Sequence, residues 1–121
     1  MRGDVIHCKI HTANPHYSHH AHGENRHRVN VVATVTCTKP VAQLSERVGL
    51  YKNGTIYKRS GVATVAGKKF VKQNASRRCV KNKNYAGYAK ASVLFPPGYS
   101  PRTAKLSDKS PTVKISKCKK K

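Results

Sequence analysis

Residues 28–37 constrain the fold of this chain more than any other stretch of its sequence. They read Arg-Val-Asn-Val-Val-Ala-Thr-Val-Thr-Cys, in which every second residue from Val29 to Cys37 is apolar and most of those between are polar. β-Branched residues occur on both sides of this alternation. The pattern is typical of a β-strand with one buried and one solvated face. It therefore predicts a strand around which an antiparallel β-protein is organised.

Two later segments extend the prediction to an all-β fold. Leu50–Lys58 places Asn53-Gly54 between alternating apolar residues. This is the strongest short-range hairpin signal, because a type I′ turn needs a positive φ at both central positions. Tyr85–Phe95 also alternates, and one of its faces carries small residues such as Gly87. We therefore expect the opposing sheet to approach this strand closely.

The remaining segments are shorter and are separated by turn residues. Residues 43–52 are predicted as a strand rather than as the start of a helix, because the hairpin follows directly. Weaker strands are predicted at residues 5–10, 62–65, 69–72, 77–80 and 112–118, with a turn at Lys39-Pro40 and loops over residues 12–28 and 103–111. Short strands without a convincing helix predict a single domain over residues 1–121, an antiparallel β-sandwich of immunoglobulin-like or related type.

The four cysteines bear on how such a domain is stabilised. Hydrophobic residues make up 37% of the 121 residues and Trp is absent, so the core is lean and cross-links would contribute much of its stability. Cys8, Cys37, Cys79 and Cys118 contain no Cys-x-x-Cys pair, which disfavours a structural zinc site. The order of the predicted strands favours nested disulfides, Cys37–Cys79 and Cys8–Cys118, in an oxidising setting. Four reduced, buried cysteines in a cytosolic protein are the alternative.

Charge is the outlying property of the composition. Lys and Arg number 25 against 4 Asp and Glu, a net charge of +21, and residues 61–121 hold 16 of the basic residues but one acid. Self-repulsion on this scale destabilises a compact chain unless a negative partner relieves it. The residues predicted to contact a polyanion or an acidic surface are Lys68, Lys69, Lys72, Arg77, Arg78, Lys81, Lys83, Lys114, Lys117, Lys119, Lys120 and Lys121, the last four in a basic tail over residues 117–121.

The predicted loop over residues 12–28 is rich in histidine. His16, His19, His20 and His22 lie within seven residues and are the candidate ligands for a metal such as zinc or copper. The alternatives are a polar surface loop without a cofactor, and a patch that gains positive charge near pH 6–7.

The sequence contains no constellation typical of catalysis, and the protein is predicted not to be an enzyme. The four acids are scattered, and neither Ser nor Cys lies in a nucleophile signature. No segment resembles an RNP motif, a KH loop or a recognition helix, so reading of a nucleic-acid sequence is not expected. No apolar run approaches the roughly 18 residues of a membrane span, and an apolar secretory signal is not seen after Met1.

Several short segments together resemble small secreted β-sandwich proteins of actinobacteria. They are Asn14-Pro15-His16, Val29-Asn30-Val31, Leu50–Gly54, Tyr85-Ala86-Gly87 and Phe95–Pro101, with Cys37 and Cys79. The resemblance implies a fold and carries no activity with it. The high positive charge and the missing export signal differ from that group, and both would suit a phage relative that is carried on a virion.

Three hypotheses for function follow. The first is a structural or interaction protein that contacts an acidic protein surface in a larger assembly, such as a virion accessory protein of capsid or tail, or a surface-associated protein. The second is a basic nucleic-acid-binding protein, ribosome-associated or DNA-compacting. The third is a secreted metal-binding or toxin-like effector. The expected location is a virion or the extracellular space, or the cytoplasm if the cysteines are reduced.

Overall fold

The computed structural model describes residues 5–18, 28–116 and 118. These residues form eight β-strands, all paired antiparallel, and contain no helix. The strands are β1 (Cys8–Thr12), β2 (His16–Ser18), β3 (Arg28–Lys52), β4 (Thr55–Arg59), β5 (Ala63–Arg78), β6 (Lys83–Leu94), β7 (Thr103–Lys109) and β8 (Val113–Ile115). The described part of the chain therefore offers no apolar helix of membrane-spanning length.

The 25-residue strand β3 organises the sheet. Its first half pairs with β1 and β2 on one edge and with β5 on the other. Its second half pairs with β6 on one edge and with β5 and β4 on the other. The register against β5 shifts between Thr36 and Val41. Extra residues on one strand bend it and increase its twist, so the second half of β3 turns back over the first.

The core lies between the two halves of this curled sheet. The apolar positions of residues 29–37 are buried, as their alternation predicts. The first three of them pack in one cluster with Val48, Leu50 and Tyr85, and the last two pack in a second cluster with Leu44 and Val93. Gly87 of β6 lies directly against Val31, and an added Cβ at this position would collide with the Val31 side chain. The close approach predicted from the small residues of β6 is therefore confirmed.

Side-chain hydrogen bonds connect strands across the two margins of the curl. At one margin, the Thr12 N–H of β1 donates to Asp108 Oδ2 of β7 over 2.7 Å. At the other, the Tyr57 hydroxyl of β4 donates to the Arg78 carbonyl of β5 over 2.8 Å. Arg77 Nη1 donates in return to the Tyr57 carbonyl over 2.6 Å. These contacts join strands that are not paired with each other by a backbone ladder.

All four cysteines are in disulfides, as predicted, but the predicted pairing is wrong. The bonds are Cys8–Cys37 and Cys79–Cys118. β1 pairs directly with β3, so Cys8 lies opposite Cys37 with their Cα atoms 4.0 Å apart. β8 pairs with the start of β6, a short turn after Cys79, which brings Cys118 to within 5.7 Å, Cα to Cα. Two disulfides are typical of oxidising compartments and secreted proteins.

The all-β, antiparallel and disulfide-linked character predicted from the sequence is confirmed. Hydrogen bonds join all eight strands into one curled sheet, which fits the predicted sandwich without confirming it. The Asn53-Gly54 hairpin forms with φ of 51° and 82°. Strand prediction for residues 43–52 is confirmed.

Other predicted boundaries are corrected. Lys39-Pro40 does not end a strand, because β3 continues through its bulge. The three weak strands between residues 62 and 80 are one strand, β5. Residues 103–109, predicted as loop, form β7, and residues 16–18 within the predicted loop 12–28 form β2. The last strand, β8, is shorter than predicted.

Candidate binding surface

The described residues expose almost no negative charge. Their only carboxylate side chains are Glu46 and Asp108. Glu46 lies on the inner face of β3 and is 1% exposed, and Asp108 is half-buried and accepts the Thr12 hydrogen bond. The basic side chains are mostly exposed. The solvent-facing charge of this part of the chain is therefore positive nearly everywhere.

The register of the sheet assigns these basic residues to two outer faces, because directly opposed residues in an antiparallel ladder share a face. The outer face of the first half of β3 is called the Phe70 face after its half-exposed aromatic residue. It carries Lys9, His11, His16, Arg28, Phe70, Lys72 and Arg78. The outer face of the second half is called the Tyr88 face. It carries Arg47, Tyr51, Ile56, Arg59, Tyr88, Lys90, Lys105 and Lys109.

Like charges are directly opposed in the middle of the Tyr88 face. Arg47 of β3 pairs across the ladder with Lys90 of β6. Such a pair destabilises a sheet by roughly 0.2–1 kcal/mol. Lys90 Nζ lies 5.7 Å from the centre of the Tyr88 ring, within the range of a weak cation–π contact. The pair therefore concentrates positive charge beside an aromatic ring at a cost to the isolated fold.

The Phe70 face has an equivalent pair. Arg28 of β3 lies directly opposite Arg78 of β5. Arg28 Nη1 donates to the Ser76 carbonyl over 3.5 Å, so this guanidinium is held down onto its own sheet. The two faces thus carry matched like-charge pairs. Their surroundings differ, because the Tyr88 face also has a groove lined by tyrosines.

A groove of about 350 Å³ opens at one end of the Tyr88 face. Tyr51 and Tyr88 line it together with Ala86, Asn84, Lys109 and Thr112. The groove lies where the edge of β6 passes from β7 to β8. The ladder is interrupted over residues 110–112, which belong to neither β7 nor β8. The Ser110 N–H still donates to the Gly87 carbonyl over 2.9 Å, but Ser110 Oγ replaces a carbonyl as the acceptor of the Gly87 N–H over 2.8 Å, and Pro111 has no N–H to donate. The interrupted strand therefore creates a concave site between two tyrosines.

The predicted basic contact residues are divided among several places. Lys72 and Arg78 lie on the Phe70 face, and Lys68 and Lys69 lie near the bend of β5. Arg77 stacks over Tyr57, with its guanidinium carbon 4.5 Å from the ring centre. The β5–β6 turn and the strands β6 and β8 carry Lys81, Lys83 and Lys114. The remaining predicted residues lie outside the described part of the chain: Lys117, Lys119, Lys120 and Lys121. Their role in binding stays a prediction.

The histidine prediction also stays open. His16 is an exposed residue of β2, and His19, His20 and His22 lie outside the described residues. Within residues 5–18, 28–116 and 118, no three His, Cys, Asp or Glu residues are grouped as metal ligands.

Sequence reasoning missed the basic residues of the Tyr88 face. Arg47 and Lys90 have no basic neighbour in the chain and Arg59 has only Lys58 beside it, so no charge run marks them. Lys105 and Lys109 lie in a segment predicted as loop. The sequence signal that could have identified them is their position in the strands, where they alternate with buried residues and therefore face solvent. Only the pairing of β4, β3, β6 and β7 brings them together.

Glu46 is an ionisable group in the core that the sequence did not single out. Neither of its carboxylate oxygens has a hydrogen-bond partner, and its ladder partners on the inner face are Ala63 and Ala91. Burial without compensation raises the pKa of Glu46 to about 8. The carboxyl group is therefore mostly neutral at pH 7 and contributes little to the charge balance of the surface.

Fold and surface together define a small, disulfide-linked, strongly basic β-protein with aromatic residues among its exposed cations. Comparison with protein-family models and with curated proteins finds no match for the sequence.

Proposed function

We propose that this protein is a non-enzymatic interaction protein that contacts an acidic protein surface through its Tyr88 face. The observation that carries the proposal is the directly opposed pair of Arg47 and Lys90, with Tyr88 beside it on the same face. No described carboxylate lies on this face, because Glu46 points inward and Asp108 is bound to Thr12.

The energetics of such a face favour an acidic partner. A carboxylate placed between Arg47 and Lys90 would replace repulsion with attraction, and neither of the two described carboxylates, Glu46 and Asp108, is available for this. Tyr and Arg are enriched in the centres of protein interfaces, and complementary charge raises the association rate and selects the partner. The face supplies both features on one rigid sheet.

The setting that we propose is the surface of a particle, in the leading case an actinobacterial phage virion, where the protein would be an accessory of capsid or tail. Two disulfides support an oxidising location. Basic residues on both outer faces of the sheet support a component of a larger assembly, since such a component meets negative charge on more than one side.

Nucleic-acid binding is the second candidate, and one observation favours it. Tyrosines among exposed cations on a sheet face resemble the arrangement with which single strands are held by stacking and phosphate contacts. The disulfides weigh towards the protein partner, because nucleoids and ribosomes lie in compartments where thiols stay reduced.

The test compares two matched double variants. R47Q/K90Q removes the opposed pair of the Tyr88 face, and R28Q/R78Q removes the equivalent pair of the Phe70 face with the same change in net charge. Binding to an alternating Glu-Asp peptide is measured by isothermal titration calorimetry. We expect R47Q/K90Q to weaken binding about tenfold and R28Q/R78Q about threefold or less.

Two results would contradict the proposal. An equal loss of affinity in both variants would mean that the contact is not specific to the Tyr88 face. Phosphate contacts depend on counterion release and weaken steeply with salt. A Kd for random duplex DNA that is still micromolar or tighter at ~150 mM salt, and that the acidic peptide does not weaken, would therefore favour the nucleic-acid candidate.

A further inference from the structure

We infer that the groove between Tyr51 and Tyr88 is an anchor pocket that receives one aromatic side chain from an acidic segment of the partner. This inference rests on the proposed function and specifies the chemistry of the partner. An aromatic residue flanked by Asp or Glu is the motif that the site fits.

The size and lining of the groove fit a side chain rather than a large ligand. Its volume of about 350 Å³ lies at the low end of the ~300–1,000 Å³ typical of small-molecule sites. Tyr51 and Tyr88 are its largest lining residues, while Ala86 and Gly87 add little bulk. Aromatic pairs in offset or edge-to-face geometry gain about 0.5–1.5 kcal/mol beyond the area that they bury. An entering aromatic ring would therefore gain more here than an aliphatic side chain.

The row of the sheet that contains Tyr88 carries a cation at each end, and one of the two, Lys109, lines the groove. Tyr88 is opposed by Lys109 on β7 and by Gly49 on β3, and Gly49 is opposed by Arg59 on β4. One row across the sheet therefore reads Arg59, Gly49, Tyr88, Lys109. An aromatic side chain in the groove would place its neighbouring acidic residues near a cation on either side, which is why the flanking residues are expected to be Asp or Glu.

The groove is formed before any partner binds. The Asn53 N–H donates to the Asn84 carbonyl over 2.7 Å, and Asn53 Oδ1 accepts from the Asn84 N–H over 3.0 Å, so the β3–β4 turn is fixed to the start of β6. Tyr51 Cε1 would lie 3.4 Å from a Cβ on Gly49, so the ring covers this glycine. A preformed site loses little conformational entropy on binding.

The experiment uses two acidic peptides that differ at one residue, a Glu-Asp heptapeptide with a central Tyr and the same peptide with a central Ser. Titration calorimetry compares the whole protein with Y88S, and with F70S as the control. F70S removes an exposed aromatic from the other face. We expect the wild type and F70S to prefer the Tyr peptide about tenfold, and Y88S to bind both peptides equally with the affinity of the wild type for the Ser peptide.

A second variant protects the test against misfolding. Tyr88 is half-buried, so Y88L keeps apolar cover over the sheet while it removes the ring, and it should lose the Tyr preference as Y88S does. Thermal unfolding establishes that both variants fold.

The possible outcomes separate the inference from the proposed function. Equal affinity of the wild type for both peptides would overturn the anchor pocket and leave the acidic contact in place. Binding of neither peptide would overturn the proposed function itself. Binding of oligo(dT) or of a uronic-acid oligosaccharide that depends on Tyr88 and displaces the Tyr peptide would show that the groove receives a base or a sugar ring, and would overturn the peptide assignment.

Discussion

Glu46 shows how one residue can set the pH dependence of this fold. Its carboxyl group is buried without a hydrogen-bond partner, and burial raises its pKa from 4.5 to about 8. Between these values the folded state holds a proton that the unfolded state has released. The free energy of unfolding therefore falls as pH rises from about 4.5 to about 8, and the total loss is on the order of 5 kcal/mol.

Replacement of Glu46 with Gln tests this directly. The amide cannot ionise, so we expect E46Q to lose the decline with pH and to become more stable than the wild type at pH 8–9. Urea unfolding at pH 5, 7 and 9 gives the free energies. The two proteins contain the same histidines, so the difference between their free energies of unfolding reports on residue 46 alone. A difference that stayed constant from pH 5 to pH 9 would contradict the raised pKa of Glu46.

Gly87 makes a second prediction at the residue scale. A Cβ at this position would collide with Val31 and would lie 3.0 Å from Thr12 Cγ2, so the two layers would have to separate. We expect G87A to lose about 1–3 kcal/mol of stability in denaturant unfolding, as overpacked cores do. In the double variant G87A/V31A, the loss should be smaller than the sum of the single losses, because the two positions share one contact.

Gly61 provides the matched control. It is exposed, and a Cβ there would meet nothing within 4 Å. Through the unfolded chain alone, a Gly→Ala change in open space is expected to be neutral or slightly stabilising. A G61A change that cost as much as G87A would therefore mean that the loss in G87A does not come from the contact with Val31.

At the scale of elements, the sequence predicted strands better than it predicted their neighbours. Alternation in Val29–Cys37 and Tyr85–Phe95 identified both strands and their buried faces, because period-two burial is a local property. Pairing depends on the bend of β3 after Thr36, which no local pattern reports. β7 was missed because only one of its three inward positions, Leu106, is strongly apolar; the other two are Ala104 and Asp108.

The disulfides give the prediction that belongs to the elements. They enclose sequence separations of 29 and 39 residues, which correspond to about 4 kcal/mol each in the chain-entropy model. We expect C8S/C37S and C79S/C118S to lose similar stability but to loosen different strands. Hydrogen exchange should show lost protection in β1 for the first variant and in β8 for the second. Non-reducing peptide mapping that returned Cys37 joined to Cys79 would contradict this pairing.

At the scale of the whole molecule, the candidate site could not be read from charge runs. The runs near residues 68–83 suggested one basic contact, whereas the sheet distributes those residues over β5, a turn and β6. Arg47, Arg59 and Lys90 lie far apart in sequence and are assembled by register alone. A sequence with 25 basic residues thus predicts that a negative partner exists but not which face meets it.

The last prediction links the stability of the free protein to its binding. Arg47 and Lys90 repel each other across the ladder, so R47Q/K90Q should stabilise the isolated protein by about 0.5–1 kcal/mol at ~10 mM salt. The gain should shrink towards zero at ~1 M salt, where the Debye length falls to about 3 Å. The same variant should bind the acidic peptide more weakly, because the repulsion that it removes is what an acidic partner relieves.

R28Q/R78Q again serves as the matched control. It should show a comparable salt-dependent change in stability, reduced by loss of the Arg28 hydrogen bond to Ser76, but little change in peptide affinity. Urea unfolding at three salt concentrations and calorimetry on the same samples give both quantities. If R47Q/K90Q gained stability and kept full affinity, the opposed pair would affect the stability of the fold but would not take part in binding. The contact with the acidic partner would then have to lie elsewhere on the molecule.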